Sequence, residues 1–371
     1  MKVAVNTRLL LKGRLEGIGW YTHEVLRRLV VAYPQHDFLF LFDRSFDPQF
    51  IYGPNVTPLV LHPQTRAPLL WRIWFEWSVP QVLKRHWADV FFSPDGYLSL
   101  SSSTRQVAVM HDLNFEHNPQ DLVAHHTRYL KRWFPQFACK ADRLITVSEF
   151  SRQDIHQRYG VPLDRISVAY NGVNTDYRPA TPADALATRK QYSQGHPYLL
   201  CVGAVHPRKN IVRMLRAFDA HVGATGSPLR LVFAGNRTWW TPDMETAYRA
   251  MAHSDRVIFL GRVPQDKLNR IVPSAFALLY ASTFEGFGMP IVEAFRAGVP
   301  VITSNVTSMP EIAADAALLC NPFNEDSIRS AIATMEADDA LRARLIEKGA
   351  VRGALFSWDD TVAHVAKVLG L

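Results

Sequence analysis

The chain has little cysteine. Its three, Cys139, Cys201 and Cys320, lie far apart in stretches that read as helix or strand. Such spacing excludes a disulfide framework and a zinc site, and implies reduced, buried thiols. No Asp-x-Asp sequence occurs, nor any internal repeat or low-complexity tract. No apolar run approaches the roughly 20 residues needed to cross a bilayer. The opening Met1-Lys-Val-Ala-Val-Asn6 has the pattern of a strand rather than of a signal peptide. The protein is therefore expected in the cytoplasm, or peripheral on the cytoplasmic face of a membrane. Acidic residues are in modest deficit, with 34 Asp and Glu against 41 Lys and Arg, a formal charge of +7. Residues 1–180 carry 21 − 16 = +5 of it and residues 181–371 carry 20 − 18 = +2. This lean favours phosphate-bearing ligands or an anionic membrane as partners, and no nucleic acid is expected.

What is present is an alternation of strand and helix patterns over 371 residues, enough for two ordinary domains. Strands are predicted at Val3–Leu10, Phe38–Phe42, Val56–Leu61, Val90–Ser93, Gln106–Met110, Leu144–Val147 and Ile166–Tyr170. The intervening helices are Trp20–Tyr33, Leu69–Arg85, Asp121–Lys140 and Glu149–Tyr159. A turn-rich linker holding one short helix follows. The pattern then restarts with strands at Tyr198–Val205, Leu229–Ala234, Val257–Leu260, Phe276–Ala281, Val301–Thr303 and Ala317–Leu319. Short, continuously apolar strands suit parallel sheets covered on both faces. The fold class is α/β: two doubly wound, Rossmann-like domains facing across a cleft, at residues 1–175 and 176–355. A final helix in 356–371 is expected to cross back to the first domain. Ligands in such sheets bind beyond the carboxyl ends of the strands.

One stretch stands out: Glu285-Gly-Phe-Gly-Met-Pro-Ile-Val-Glu293. It follows an apolar strand, and Gly286 and Gly288 permit positive φ and close approach of a bulky group. Pro290 is expected at the first helical position, and Gly298 and Pro300 stop the helix. Strand, glycine-rich turn and helix N-terminus make an anion site. The two flanking carboxylates do not suit a phosphate but do suit hydroxyl donors. An anion flanked by polyols is a nucleotide sugar.

With Glu285 and Glu293 separated by seven residues, the chain resembles the retaining glycosyltransferases of the GT-B fold, in the large family 4. The resemblance extends over nearly the whole chain. It implies that Glu285 contacts the donor sugar and Glu293 the ribose. It implies too that the backbone of Gly286, Phe287, Gly288, Met289 and Pro290 holds sugar and diphosphate. A second block, Gly203-Ala-Val-His-Pro-Arg-Lys-Asn210, follows a strand and opens a helix. The family places an Arg and a Lys there to stabilise the departing diphosphate. Lys209 matches the Lys. Ala204 stands at the usual Arg position, and Arg208 is expected to act instead.

Val109-Met-His111-Asp112 ends a first-domain strand, and the resemblance brings His111 to the sugar's 6-hydroxyl. Gly17-Ile-Gly19 forms an expected phosphate or acceptor loop. Thr22 replaces the third glycine of a dinucleotide fingerprint, which lowers support for that chemistry. Val147-Ser-Glu-Phe-Ser151, Asn171-Gly-Val and Phe259-Leu-Gly-Arg-Val263 are also family-like, and by analogy the backbone near Val263 meets the base. The resemblance implies no cofactor and no metal ion. Protein cations and a helix end would replace the metal.

Two segments are rich in both aromatic and basic residues: Arg66–Trp87, with Trp71, Trp74, Phe75, Trp77 and Trp87, and His125–Lys140, with Tyr129, Trp133 and Phe137. They suit an anionic membrane interface, or else the rings pack on the sheet while the charges are solvated. The expected activity is hexose transfer, with GDP-mannose the leading donor, to a hydroxyl of a glycan acceptor, lipid-linked, in surface polysaccharide synthesis. A sugar-nucleotide isomerase on the same fold and a non-catalytic nucleotide-sugar or lipid-glycan binding protein remain alternatives at this stage.

Overall fold

A strand buried on both faces needs no alternation, and the central strands among the chain's thirteen are accordingly near-continuous apolar runs, while the edge strands are partly exposed. The computed structural model describes residues 1–371 and divides into two units, Met1–Gly172 with Ser357–Leu371, and Val173–Phe356. These divisions lie within three residues of those expected at 175 and 355.

The first unit holds β1 (Lys2–Asn6), β2 (Asp37–Phe42), β3 (Val56–Val60), β4 (Val90–Ser93), β5 (Arg105–Val109), β6 (Arg143–Thr146) and β7 (Ile166–Val168). All pair in parallel, in the order β3-β2-β1-β4-β5-β6-β7. Val3, at the centre, is in register with Phe38 on one side and Val90 on the other. The second unit holds β8 (Tyr198–Val202), β9 (Arg230–Ala234), β10 (Val257–Gly261), β11 (Ala277–Tyr280), β12 (Val301–Ser304) and β13 (Leu318–Cys320), again parallel, in the order β10-β9-β8-β11-β12-β13. The winding direction reverses between β1 and β4 in one unit and between β8 and β11 in the other. A crevice opens at the carboxyl ends of those strands because the two following loops part to opposite faces.

Several expectations are corrected. β1 stops at Asn6, because the Leu10 amide turns back to the Thr7 carbonyl. Gly17 and Gly19 belong to the first turn of a helix, Gly17–Ala32, and not to a loop. The helix expected over Asp121–Lys140 is a short turn at Pro119–Asp121 followed by a helix over Ala124–Lys140. The stretch Leu69–Arg85 is helical but interrupted: Pro68–Ile73, a π-helical turn at Trp74–Ser78, then Val79–Arg85. Cys139 is exposed, on the outer face of its helix, while Cys201 and Cys320 are buried.

The last helix, Trp358–Leu369, packs on Gly17–Ala32 within the first unit. Tyr21 meets the Trp358 ring at 6.0 Å, Arg28 pairs with Asp359 at 3.0 Å, and Arg105 donates to the Val368 and Leu369 carbonyls at 2.7 Å each. Gly172 lets the backbone pass Trp358, since a Cβ there would lie 2.1 Å from the Trp358 nitrogen. Gly172→Ala is expected to destabilise the first unit by about 1–3 kcal/mol, the cost of overpacking. Chemical denaturation of the ligand-free protein measures it; an unchanged midpoint would mean that the last helix is not seated there.

Candidate active site

The loops at the β8/β11 reversal carry the charged groups. After β8, the turn Pro207–Lys209 is capped by the His206 side chain and brings Arg208 and Lys209 to the strand end. After β11, Thr283 donates its amide to the Arg208 carbonyl at 2.8 Å, and Arg208 Nη1 donates to the Phe284 carbonyl at 3.3 Å. These bonds lock the loops together and set Glu285 between the two cations. Arg208 Nη1 lies 2.5 Å from Glu285 Oε2, and Lys209 Nζ lies 2.7 Å from Oε1. Lys209 Nζ also donates to the Tyr280 hydroxyl at 2.5 Å and sits 4.3 Å from its ring centre.

Burial would raise the Glu285 carboxyl, but Arg208 and Lys209 outweigh it and hold it at about 2. The Tyr280 phenol is raised, by burial and then by the Glu285 charge, so it remains a neutral donor. The triad carries one positive charge in excess. Its loop is fixed from β12's side: Ser308 donates to the Glu285 and Phe287 carbonyls at 2.9 and 3.1 Å, and Thr307 accepts from the Glu285 amide at 3.3 Å.

The helix Met289–Arg296 begins one residue earlier than expected, with Pro290 in its first turn rather than at its first position. Of the two glycines, only Gly288 has positive φ, +102°, where it caps the helix. Gly286 does not need its freedom in that way. The Phe287 ring is buried against Phe356 at 5.6 Å, so this residue offers a ligand only its backbone. Beyond β10, Val263 is half-buried in the turn before the helix Gln265–Ile271.

Glu293 has no hydrogen-bond or ion-pair partner, and burial pushes its carboxyl up to about 7 against a weaker opposing pull from Lys209. The phenol of Tyr177 is close enough to be raised by burial and by the Glu293 charge, and accepts from Gln265 Nε2 at 2.9 Å. Tyr177, Gln265 and Tyr280 escaped the sequence reading because nothing local distinguishes them. Tyr177 in particular sits in the linker, more than 100 residues from Glu293.

In the first unit His111 follows β5. Its Nε2 lies 2.9 Å from the Pro94 carbonyl, which can only accept, so the proton is on Nε2. Burial lowers the imidazole, against smaller opposing effects of that bond and of Asp112 and Asp95. The ring is thus neutral near pH 7 and its Nδ1 is an acceptor. The Val147–Ser151 segment is a support: Ser148 caps the helix Glu149–Tyr159 and Ser151 Oγ donates to the His111 carbonyl at 3.1 Å. At the β1/β4 reversal the structure adds a pair that sequence did not disclose. Arg8 Nε donates to Asp95 at 2.7 Å, both side chains are buried, and Asn6 donates to Asp95 at 2.8 Å. Gly17, which has open space around its Cβ position, and Gly19, where a Cβ would meet the Leu9 carbonyl at 3.0 Å, start the helix beside β1.

Two doubly wound units, with a cationic, helix-capped site on the second, define a GT-B glycosyltransferase. Comparison with known proteins carries the assignment further. The glycosyltransferase family 4 model matches residues 15–177 and the glycosyl transferases group 1 model matches residues 186–352. The chain is 30% identical to the O-antigen chain mannosyltransferase B of Escherichia coli, over 97% of each sequence. It is 27% identical to the O-antigen chain mannosyltransferase RfbU of Salmonella typhimurium, over 76% of this chain and 75% of that one. Among solved structures it resembles Anabaena HepE in complex with UDP-glucose, with a TM-score of 0.78 at 19% identity, covering 100% of this chain and 99% of the other. The chain belongs to the family 4 glycosyltransferases.

The unpartnered Glu293 yields a signed expectation. Its carboxyl lies at about 7 in the fold against an ordinary 4.5, so the folded state holds the proton more tightly than the unfolded chain. Ionising it costs stability as pH rises from about 4.5 through 7, on the order of 2–3 kcal/mol once complete. Glu293→Gln should therefore melt higher than the unmodified protein at pH 8, with the gap shrinking toward pH 5, in the absence of ligand. Thermal melts at the two pH values decide it, and a gap independent of pH would place an ion or a donor beside Glu293.

Proposed function

We propose that this transferase moves mannose from GDP-mannose to a hydroxyl of a lipid-linked glycan acceptor, with retention at the anomeric carbon and with no metal ion or other cofactor. The observation that carries the reading is the Arg208–Lys209–Glu285 triad at the start of the Met289–Arg296 helix, cationic in excess and already assembled. The mannosyl and acceptor parts are supported by the relatives, which are O-antigen chain mannosyltransferases by name.

In this reading the donor diphosphate takes its place against Lys209, Arg208 and the backbone N–H groups between Gly286 and Pro290. Charge grows on the diphosphate as the bond to the sugar breaks, and fixed cations then stabilise it most. Once the phosphate shares the cations, Glu285 is freed to accept from a sugar hydroxyl. His111 accepts from another through Nδ1. Glu293 receives the ribose hydroxyls and the backbone near Val263 meets the base. The Gly17–Gly19 helix start is assigned to the acceptor. Reversible attachment to an anionic membrane through exposed basic residues, Arg128 and Arg132 among them, belongs to the same reading.

Titration with a panel of GDP-, UDP- and ADP-sugars, followed by NMR of the product's anomeric signal, tests donor and stereochemistry together. GDP-mannose should bind best and give the α-linked product. Preference for a uridine donor, or an inverted linkage, would refute the respective part. Lys209→Ala should lower kcat by about two to three orders of magnitude, as expected for one preorganised charge stabiliser, and raise KM much less. A folded variant with near-normal kcat would show that the decisive cation is elsewhere.

A further inference from the structure

The two aromatic, basic segments resolve into an inner and an outer set. Trp74, Phe75, Tyr129, Phe134 and Phe137 are core, whereas Leu69 and Trp77 are 70% and 69% exposed and Ile73 is exposed beside them. Leu69, Ile73 and Trp77 are spaced by four residues and line one wall of a groove of about 580 Å³, with Trp133, Tyr129 and Phe137 opposite. That volume is within the range of small-molecule sites. Exposed apolar walls without a covering element mark a binding surface.

The groove has a charged rim. Arg72, in the lining, stacks 4.5 Å from the Trp133 ring centre, and Arg132, exposed and outside the lining, lies 5.1 Å from the same ring. Neither guanidinium has an ion pair or a hydrogen-bond acceptor of its own within the protein. The one acid in the lining, Glu76, is taken up by the Leu100 and Ser101 amides at 3.0 and 2.9 Å. The groove thus offers apolar walls and, at the Trp133 ring, the Arg72 guanidinium in the lining with Arg132 just outside it, while the Glu76 carboxylate is held by amides. Its floor is continuous with the strand ends: Tyr129 packs on Tyr97 at 6.2 Å, and Tyr97 lies 4.3 Å beneath the Arg8 guanidinium at the carboxyl end of β1.

We propose that this groove holds one lipid chain, with the chain's phosphate at Arg72 and Arg132. The occupant is a single-chain lipid phosphate, because the cations meet a phosphate while Leu69, Ile73, Trp77 and Trp133 enclose the tail. The assignment rests on the lipid-linked acceptor proposed above and names the part of the protein that receives its tail.

The test uses the full-length protein and decyl phosphate below its micelle concentration, with decyl maltoside and inorganic phosphate as comparators, read by titration calorimetry. Decyl phosphate should bind saturably at one site, about tenfold tighter than decyl maltoside, the scale of one charge-assisted contact. Inorganic phosphate alone should not bind there. Arg72→Gln should erase the preference for the phosphate head. Leu69→Gln with Trp77→Gln, both exposed positions that a fold tolerates, should weaken both amphiphiles at least about tenfold. Absence of saturable binding, or binding unaltered in correctly folded variants, overturns the proposal. So does sedimentation with anionic vesicles without binding of monomeric decyl phosphate, which would make the face a bilayer-docking surface. Transfer kinetics of the unmodified protein on tailed and tail-less acceptors test the acceptor reading separately. Indifference to the tail, with decyl phosphate still bound in the groove, would overturn that reading alone.

Discussion

Glu285 holds two adjacent cations that burial would otherwise set against each other. Lys209 and Arg208 are consecutive, and the Lys209 side chain is only 12% exposed. Two like charges in a shielded crevice repel strongly, and a carboxylate shared between them relieves the repulsion while losing its own solvation. The bargain requires both loops in place. The backbone bonds from the β11 loop to Arg208 and the Ser308 and Thr307 contacts from β12 supply that placement. Three strand ends are therefore tied through one residue, Glu285, by its carboxylate and its backbone. In the proposed function, the remaining positive charge is what the donor diphosphate would meet, on cations already held in place.

The triad's position follows from winding. In each sheet the order reverses once, and buried or half-buried ionic side chains collect at both reversals: Arg208, Lys209 and Glu285 beyond β8 and β11, Arg8 and Asp95 beyond β1 and β4. Away from the reversals a buried charge likewise needs partners, as Asp43 after β2 finds in Arg44 and Thr65. Glu293 differs in having no partner. A half-buried carboxyl without a partner is a standing cost to the empty protein, and it is removed by whatever donates hydrogen bonds to it.

Much of this was legible in the sequence. The strands show in the sequence as mostly apolar runs because the central parallel strands are buried on both faces. Lys209, Arg208, Glu285 and Glu293 could be singled out because strand, turn and helix start are local signals, and the structure brings the first three together. Strand order is not local, so neither reversal point nor the Arg8–Asp95 pair could be read. The Tyr177–Gln265 bond spans 88 residues and has no motif. Gly17 and Gly19 misled in the other direction. Glycine spacing alone does not distinguish a loop from a helix start, and here the helix simply begins at Gly17.

The aromatic segment around Trp77 shows why periodicity could not decide between core and surface. With regular 3.6-residue spacing, Trp74 and Trp77 would lie within about 60° of each other and share one face. The π turn at Trp74–Ser78 inserts an extra residue's width into the helix and shifts its phase. Trp74 and Phe75 consequently go inward, with the Trp74 indole donating to the Leu61 carbonyl at 3.2 Å, while Trp77 turns out beside Ile73 and Leu69. The inward reading thus holds for Trp74 and Phe75, while Trp77 stays exposed. The phase shift divides one run of aromatic residues between the core that supports the sheet and a wall that faces away from it.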